Sequence, residues 1–230
     1  MSQEIDFERY WLDKFSNCLE ESVGADIRDR VMQGSDRLSQ GSDRQQVIEW
    51  SSGAMELLDE LVDPIIARDV MTGCACQYPL SELQVLRIAY EETGDVSLVH
   101  RKLQEKFEDF LRDTLKLEED MIRDIVNKDW GLAGEYQGDK IIATKIPKSG
   151  YLVQYMQESD PEKKRQLYCH CPRVRDALKI GGSISTTYCY CGAGFYKGIW
   201  EEILQSPVEV ELLESVLGGD EVCRVIIHLP

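Results

Sequence analysis

No stretch of this 230-residue chain approaches the ~18 uninterrupted apolar residues that would cross a bilayer. The opening residues, Met1-Ser2-Gln3-Glu4-Ile5-Asp6, lack a basic segment followed by an apolar run, so no secretory signal is expected. Positive charge is scarce. Lys and Arg number 26 against 42 Asp and Glu, giving a net charge of -16 and a pI near 4.6. An acidic surface of this kind repels nucleic-acid phosphates and anionic lipid headgroups, which argues against a nucleic-acid or membrane role. The expected setting is the cytoplasm, where thiols are kept reduced. Eight cysteines there point to metal binding or chemistry before a disulfide framework.

Six of those eight repeat one local pattern. Cys74-Ala75-Cys76, Cys169-His170-Cys171 and Cys189-Tyr190-Cys191 each set two thiols two positions apart. In extended backbone, residues i and i+2 point to the same side, so each pair can aim both sulfurs at one place. Structural zinc takes four thiolate or imidazole ligands in a tetrahedron. Cys169, Cys171, Cys189 and Cys191 supply that count, although zinc pairs are usually spaced more widely. His170, Cys74 and Cys76 could complete the site, and an iron–sulfur cluster would accept the same thiols.

A second reading of the motif rests on position. Cys189 and Cys191 precede Gly192-Ala193-Gly194 and an expected helix from Phe195 to Leu204. A helix N-terminus and Lys197 in its first turn would both lower a thiol pKa, making either cysteine a candidate nucleophile. The two glycines do not make a phosphate loop, because the further glycines and the Lys-Ser/Thr of that motif are missing. Cys18 and Cys223 lie on apolar faces and are expected to be structural.

Charge is distributed unevenly. Between Lys140 and Lys179 nine basic residues face four acidic ones, so this segment is +5 and the rest of the chain is -21. Lys145, Lys148, Arg173, Arg175 and Lys197 are the candidate contacts for a small anionic molecule, against the plainer reading of a solvated basic face.

Residues 5 to about 128 read as helix. Ile5, Tyr10, Trp11, Phe15, Cys18 and Leu19 form one apolar stripe that ends near Gly24. A second helix is expected over 26–38. Ser42 or Asp43 caps a third, and Asp63-Pro64 starts a fourth that stops at Gly73 as its C-cap. Further helices are expected from Ser81 to Gly94, from Asp95 through Leu111 with a solvated His100, and near residues 119–128. At Trp130-Gly131-Leu132-Ala133-Gly134 the periodicity breaks, dividing a helical region (1–129) from a cysteine-rich α+β region (130–230). A strand is expected at Lys140–Ile146, and 151–156 fits either strand or helix. A short helix over 173–179 leads to Gly181-Gly182. Val208 to Leu229, turning at Gly218-Gly219-Asp220, reads as a β-hairpin with Cys223 on its buried face and His228 on its wet one.

The run Tyr190-Cys191-Gly192-Ala193-Gly194, the helix carrying Trp200-Glu201, Val208-Glu209-Val210 and Gly219-Asp220-Glu221-Val222-Cys223-Arg224 resembles the end of the 4-vinyl-reductase domain. That resemblance implies the fold shared with Bet3-like trafficking subunits and haem-nitric-oxide-binding domains, in which helices pack on an antiparallel sheet, with a zinc or small-molecule site. Family members often have a cysteine in the first hairpin strand where this chain has Ser215. The whole chain also resembles an uncharacterised bacterial family and, more distantly, the L-2-amino-thiazoline-4-carboxylate hydrolases. The expectation is an α+β protein that binds zinc or a small ligand through a thiolate cluster beside a basic segment. A Cys-dependent hydrolase or transferase acting on a small carboxylate is the alternative. A third reading is an interaction scaffold, and a homodimer is compatible with each.

Overall fold

The computed structural model describes residues 6–230; Ile5, expected on the first apolar stripe, lies outside them. The described chain is α+β, with helices first and an antiparallel sheet near the C-terminus. The helices are α1 (Phe7–Val23), α2 (Ala25–Val31), α3 (Arg44–Leu61), α4 (Pro64–Gly73), α5 (Leu80–Thr93), α6 (Val96–Asp109) and α7 (Glu119–Val126). Strands β1 (Glu135–Tyr136) and β2 (Lys140–Thr144) follow. Then come α8 (Leu152–Gln157), α9 (Pro161–Tyr168), α10 (Pro172–Ile180), α11 (Tyr190–Leu204) and the hairpin strands β3 (Glu209–Glu214) and β4 (Arg224–His228). No helix among the described residues is long and apolar enough to cross a membrane.

Local chemistry explains the boundaries. The Asp6 carboxylate accepts hydrogen bonds from the backbone N–H of Glu8 and Arg9 at 2.9 and 3.0 Å, satisfying donors that the first turn of α1 leaves open. Asp43 does the same for α3 through Gln45, and Asp63 for α4 through Ile65. Leu12, Phe15 and Leu19 form the buried stripe of α1, whereas Tyr10, expected on it, faces solvent. The expected second helix is shorter, because Gly34 takes a left-handed φ of 81° and a 3-10 turn at Ser35–Arg37 follows. Residues 152–157 are helical, which resolves the strand-or-helix alternative.

The chain forms two compact units, each assembled from separated segments. The first combines the segment ending at Ala75 with Cys169–Gly194; the second combines Cys76–Tyr168 with Phe195–Pro230. The passage from helix to strand near residue 130 does occur, between α7 and β1, but it lies inside the second unit.

The second unit holds the whole sheet, in the order β1-β2-β4-β3 with every pairing antiparallel. Ile141 pairs with Ile227 and Ala143 with Val225, and all four are buried, so period-two alternation sets which face is dry. On the same strand pair as the buried residues, Cys223 is also buried, as its place in the alternation implied. His228 is part-exposed and pairs at 3.0 Å with Glu211 on the neighbouring strand. Tyr168, at the end of α9, locks the sheet's end. Its hydroxyl donates to the Lys145 carbonyl oxygen and accepts from the Cys223 N–H at 3.0 Å. Ser215 organises the hairpin turn, its hydroxyl accepting from the Gly218 N–H at 3.0 Å. Gly131, at φ 137°, lies where a Cβ would be 2.4 Å from the Phe107 ring, so the helix-to-sheet connection requires glycine twice over.

Candidate functional site

Six of the eight cysteines fall in the first unit: Cys18, Cys74, Cys169, Cys171, Cys189 and Cys191. Cys76 is exposed and belongs to the second unit, as does Cys223. The first unit thus holds Cys18 and five of the six Cys-x-Cys residues, while Cys76 lies in the second.

Cys18 and Cys74 are brought together by α1 packing along α4. Gly73 is not the left-handed C-cap expected of it. It lies in the last turn of α4, and Cys74 caps the helix with ordinary right-handed angles. What Gly73 contributes is the missing side chain. A Cβ there would sit 2.8 Å from Cys18 Sγ, so glycine lets the Cys18 thiol rest on the α4 backbone, and a larger residue would make that thiol shift. Lys14, one turn before Cys18, donates from Nζ to the Ala75 carbonyl oxygen, which ties α1 to the turn after α4.

The two thiols are electrically unequal. The Cys74 S–H donates to the Val70 carbonyl oxygen at 3.2 Å. A hydrogen bond from Cys74 stabilises the Cys18 thiolate and brings Cys18 down to about 7; burial opposes this, Lys14 assists and Glu21 opposes. Cys74 moves the other way, pushed well above the ordinary thiol value by its bond to Cys18, by burial and by the neighbouring negative charge. One thiol is thus an anion near neutrality and half-exposed. The other is buried and keeps its proton.

Cys191 approaches the same turn from the start of α11. That helix begins at Tyr190, earlier than expected, so Cys191 lies inside the first turn and not ahead of it. A Cβ on Gly194 would lie 2.1 Å from the Thr72 carbonyl oxygen, which shows how closely α11 crosses the end of α4. The crossing sets Cys191 Sγ 3.6 Å from the Cys74 carbonyl oxygen. Gly194 therefore serves backbone packing.

A polar chain continues from there. The Tyr188 hydroxyl is buried, 3.3 Å from Cys171 Sγ, and accepts from Arg173 Nη1 at 3.4 Å. Burial, with negative charge at Cys171 and Cys191 added, pushes the Tyr188 hydroxyl well up and keeps it protonated. Arg173 also donates from Nη2 to Glu8 and lies 3.9 Å above the Trp11 ring. Glu8 meets Arg44 as well, at 3.4 Å, and Arg44 reaches Asp176 at 2.6 Å.

The residues expected to bind an anion have other tasks. Arg173 is buried on Glu8 and Tyr188, and Arg175 donates to the carbonyl oxygens of Cys169 and His170 at 2.8 and 2.7 Å. Arg175 thereby fixes the loop between α9 and α10, which carries Cys169, His170 and Cys171. Lys197 does not serve the thiols; its Nζ bonds Glu201 at 2.6 Å and the Val208 carbonyl oxygen at 2.5 Å, holding α11 to the start of β3. Lys148 lies over the Tyr151 ring at 5.5 Å, and the Lys145 backbone is bound at both N–H and C=O. Lys145 and Lys148 belong to the second unit, Arg173 and Arg175 to the first. His100 donates from Nε2 to the Gly134 carbonyl oxygen at 2.8 Å and is half-buried, where a solvated ring was expected.

Neither downstream pair lies in a strand. Cys169 follows the end of α9 and Cys171 is the N-cap residue of α10, because Pro172 begins a helix at once. Cys189 ends a 3-10 turn, Thr186–Cys189, and α11 starts at the next residue. The alternation that would have aimed each pair at one locus is replaced by helix boundaries. Among the described residues no group of three or more His, Cys, Asp or Glu side chains is arranged to hold a metal ion.

Cys18 was passed over because an apolar stripe makes every cysteine on it look like filler. The usable signals were Lys14 one turn earlier and a glycine immediately before Cys74. No curated protein and no solved structure matches the chain, so the likenesses to the 4-vinyl-reductase domain and to the thiazoline-carboxylate hydrolases rest on the motifs alone. Residues 155–230, about a third of the chain, match the family of unknown function DUF6144, and that stretch carries both downstream cysteine pairs and the hairpin.

Proposed function

We propose that the protein carries out thiol chemistry on a small electrophilic substrate, with Cys18 as the nucleophile and Cys74 as the group that holds its thiolate. The observation that supports this most strongly is the seat of Cys18: a part-exposed sulfur laid on Gly73, the residue before the buried Cys74. A thiolate is the reactive form of cysteine, and one present near neutrality in an accessible position is the usual requirement for attack on a substrate carbon or sulfur.

Lys14 carries the small-carboxylate part of the reading. Its ammonium has three donors, one of which goes to Ala75, and it lies one turn from Cys18. Arg173 and Arg175 do not take that part, being committed inside the first unit. A reducing, cytoplasmic setting fits a chain with eight cysteines.

Alkylation of the full chain, mapped by peptide, tests this. Iodoacetamide should modify Cys18 first, with a rate that rises through a midpoint near pH 7. Iodoacetate carries a carboxylate, so Lys14→Ala should slow it more than it slows iodoacetamide. Uniform, slow modification of all accessible thiols would overturn the assignment.

Zinc held by the thiols that converge on the Thr72–Ala75 turn is the second reading, supported by the approach of Cys191 to Cys74. It requires the side chains to rearrange, because the donors are not set around one point. Metal analysis separates the two: the thiol reading expects less than about a tenth of an equivalent of zinc or iron in protein purified without added metal.

A further inference from the structure

We propose that Cys171 is a site of reversible modification by small disulfides, at which a mixed disulfide with glutathione unlatches a buried hydrogen-bonded chain running from its sulfur to α1. The site is separate from Cys18 and does not depend on it.

The chain is laid out in printed contacts of ordinary length, all within the first unit. Cys171 Sγ lies 3.3 Å from the Tyr188 hydroxyl, and that oxygen accepts from Arg173 Nη1 at 3.4 Å. Arg173 Nη2 donates to Glu8, and the guanidinium lies 3.9 Å above the Trp11 ring, which also packs on the Tyr188 ring at 5.5 Å. One hydroxyl thereby joins three elements far apart in sequence: α1, the start of α10 and the 3-10 turn ahead of α11.

The direction of the bonds follows from the donors. A tyrosine hydroxyl has one proton to give, and arginine can only donate. The Tyr188 proton therefore points away from Arg173, and among the described residues the Cys171 sulfur is the acceptor in reach. That O–H, together with the first turn of α10, which no side chain caps, steadies the charge the sulfur carries when it attacks.

Access is graded along the chain. Cys171 is part-exposed, whereas Tyr188, Arg173 and Glu8 are buried. A disulfide arriving from solvent meets the sulfur and nothing behind it. What lies behind has little slack, because Arg173 Nε already lacks an acceptor among the described residues and the guanidinium holds no spare contact.

The reaction balances with glutathione disulfide as the oxidant. The Cys171 thiol loses its proton to water and its sulfur attacks one sulfur of that molecule. The S–S bond of glutathione disulfide breaks, the Cys171–glutathione disulfide forms, and one glutathione thiolate leaves and takes up a proton. One glutathione attacking the adduct reverses the step. The glutathionyl group is too large for the buried side and turns the sulfur toward solvent, away from the Tyr188 proton. A buried hydroxyl left without an acceptor is costly, so the link between α10 and the turn ahead of α11 loosens.

The test uses the reduced full chain, equilibrated with glutathione disulfide, quenched with acid and mapped by peptide, with the thermal midpoint read before and after. The wild type should carry the adduct at Cys171, lose about 2–4 °C and regain it with excess glutathione. Tyr188→Phe keeps the ring and removes the hydroxyl, so Cys171 should be modified roughly tenfold more slowly and its adduct should no longer move the midpoint. Cys171→Ser keeps an acceptor for Tyr188, so it should melt close to the wild type and lose most of the glutathione-dependent fall. No adduct at Cys171, an adduct formed at the same rate and with the same fall in Tyr188→Phe, or a fall of equal size in Cys171→Ser would each overturn the proposal. Cys18 is scored on its own peptide: an adduct there with Cys171 bare contradicts this site and leaves the reading of Cys18 standing.

Discussion

Cys18 and Cys223 make the sharpest comparison in the molecule. Each sits among apolar neighbours in sequence, Cys18 in α1 and Cys223 just before β4, one in each unit. In the structure Cys223 is enclosed beside the sheet, its N–H taken by Tyr168, and burial pushes its thiol up. Cys18 instead faces a second thiol and lies near an ammonium, which bring it down to about 7. Burial alone makes a cysteine inert, and a hydrogen-bond donor at the sulfur makes it available. The difference is set by what crosses the chain to meet each sulfur.

The two units differ in the same sense. The second is closed by a sheet whose dry face is Ile141, Ala143, Val225 and Ile227. The first buries charge as well, with Glu8 and Arg173 both nearly inaccessible and paired with each other. Breaking that pair should give the largest effect. Glu8→Ala leaves the Arg173 guanidinium buried beside Trp11 without its carboxylate, and a loss of about 3–5 kcal/mol is expected. Thermal unfolding checks it. The exposed pair of the second unit supplies the contrast, with Glu211→Gln, which removes the partner of His228, expected to cost about 0–1 kcal/mol.

Gly194→Ala should come next. Its Cβ would meet backbone, not a flexible side chain, so the α11–α4 crossing must open, at roughly 1–3 kcal/mol. Because that crossing sets Cys191 on the Cys74 carbonyl oxygen, Cys191 should become easier to alkylate in the variant, while Cys223 stays as slow as before.

A smaller and more selective effect is expected at Cys74. Cys74→Ala removes the donor to Cys18, so the pH midpoint of Cys18 alkylation should rise from about 7 toward the ordinary thiol value of roughly 8.5. Cys74→Ser should restore most of the shift. In sign, Cys18 reacts as its thiolate, so its rate grows as pH rises through the midpoint, and the alanine variant should be slower than the wild type at pH 7.

Much of the fold follows from local rules. The stripe of α1 is visible in Phe15 and Leu19, the start of α3 in Asp43, and the ends of α5 and α10 in Gly94 and Gly181, which take φ of 63° and 73°. The hairpin is equally plain in the alternation through Val225 and Ile227. These features depend on neighbours in sequence. The site does not. Arg173 meets Glu8 across 165 residues, Cys191 meets Cys74 across 117, and nothing local marks either partner. Gly73 looked like a cap and Gly194 had no role once a phosphate loop was set aside, because sequence shows that a side chain is missing but not what occupies its place. The Cys-x-Cys repeats were real as a pattern, yet Pro172 and the early start of α11 turned both downstream pairs into helix boundaries.

The claim that Cys18 is the working thiol is met most directly by one pH–rate profile. The reduced full chain is pulsed with iodoacetamide across pH 5 to 10, and each cysteine is quantified by peptide mapping. The account expects Cys18 to react fastest at neutral pH with a midpoint near 7, and Cys223 to stay unmodified until the chain unfolds. A Cys18 midpoint at or above the ordinary thiol value, or a rate no different from that of exposed Cys76, would contradict it.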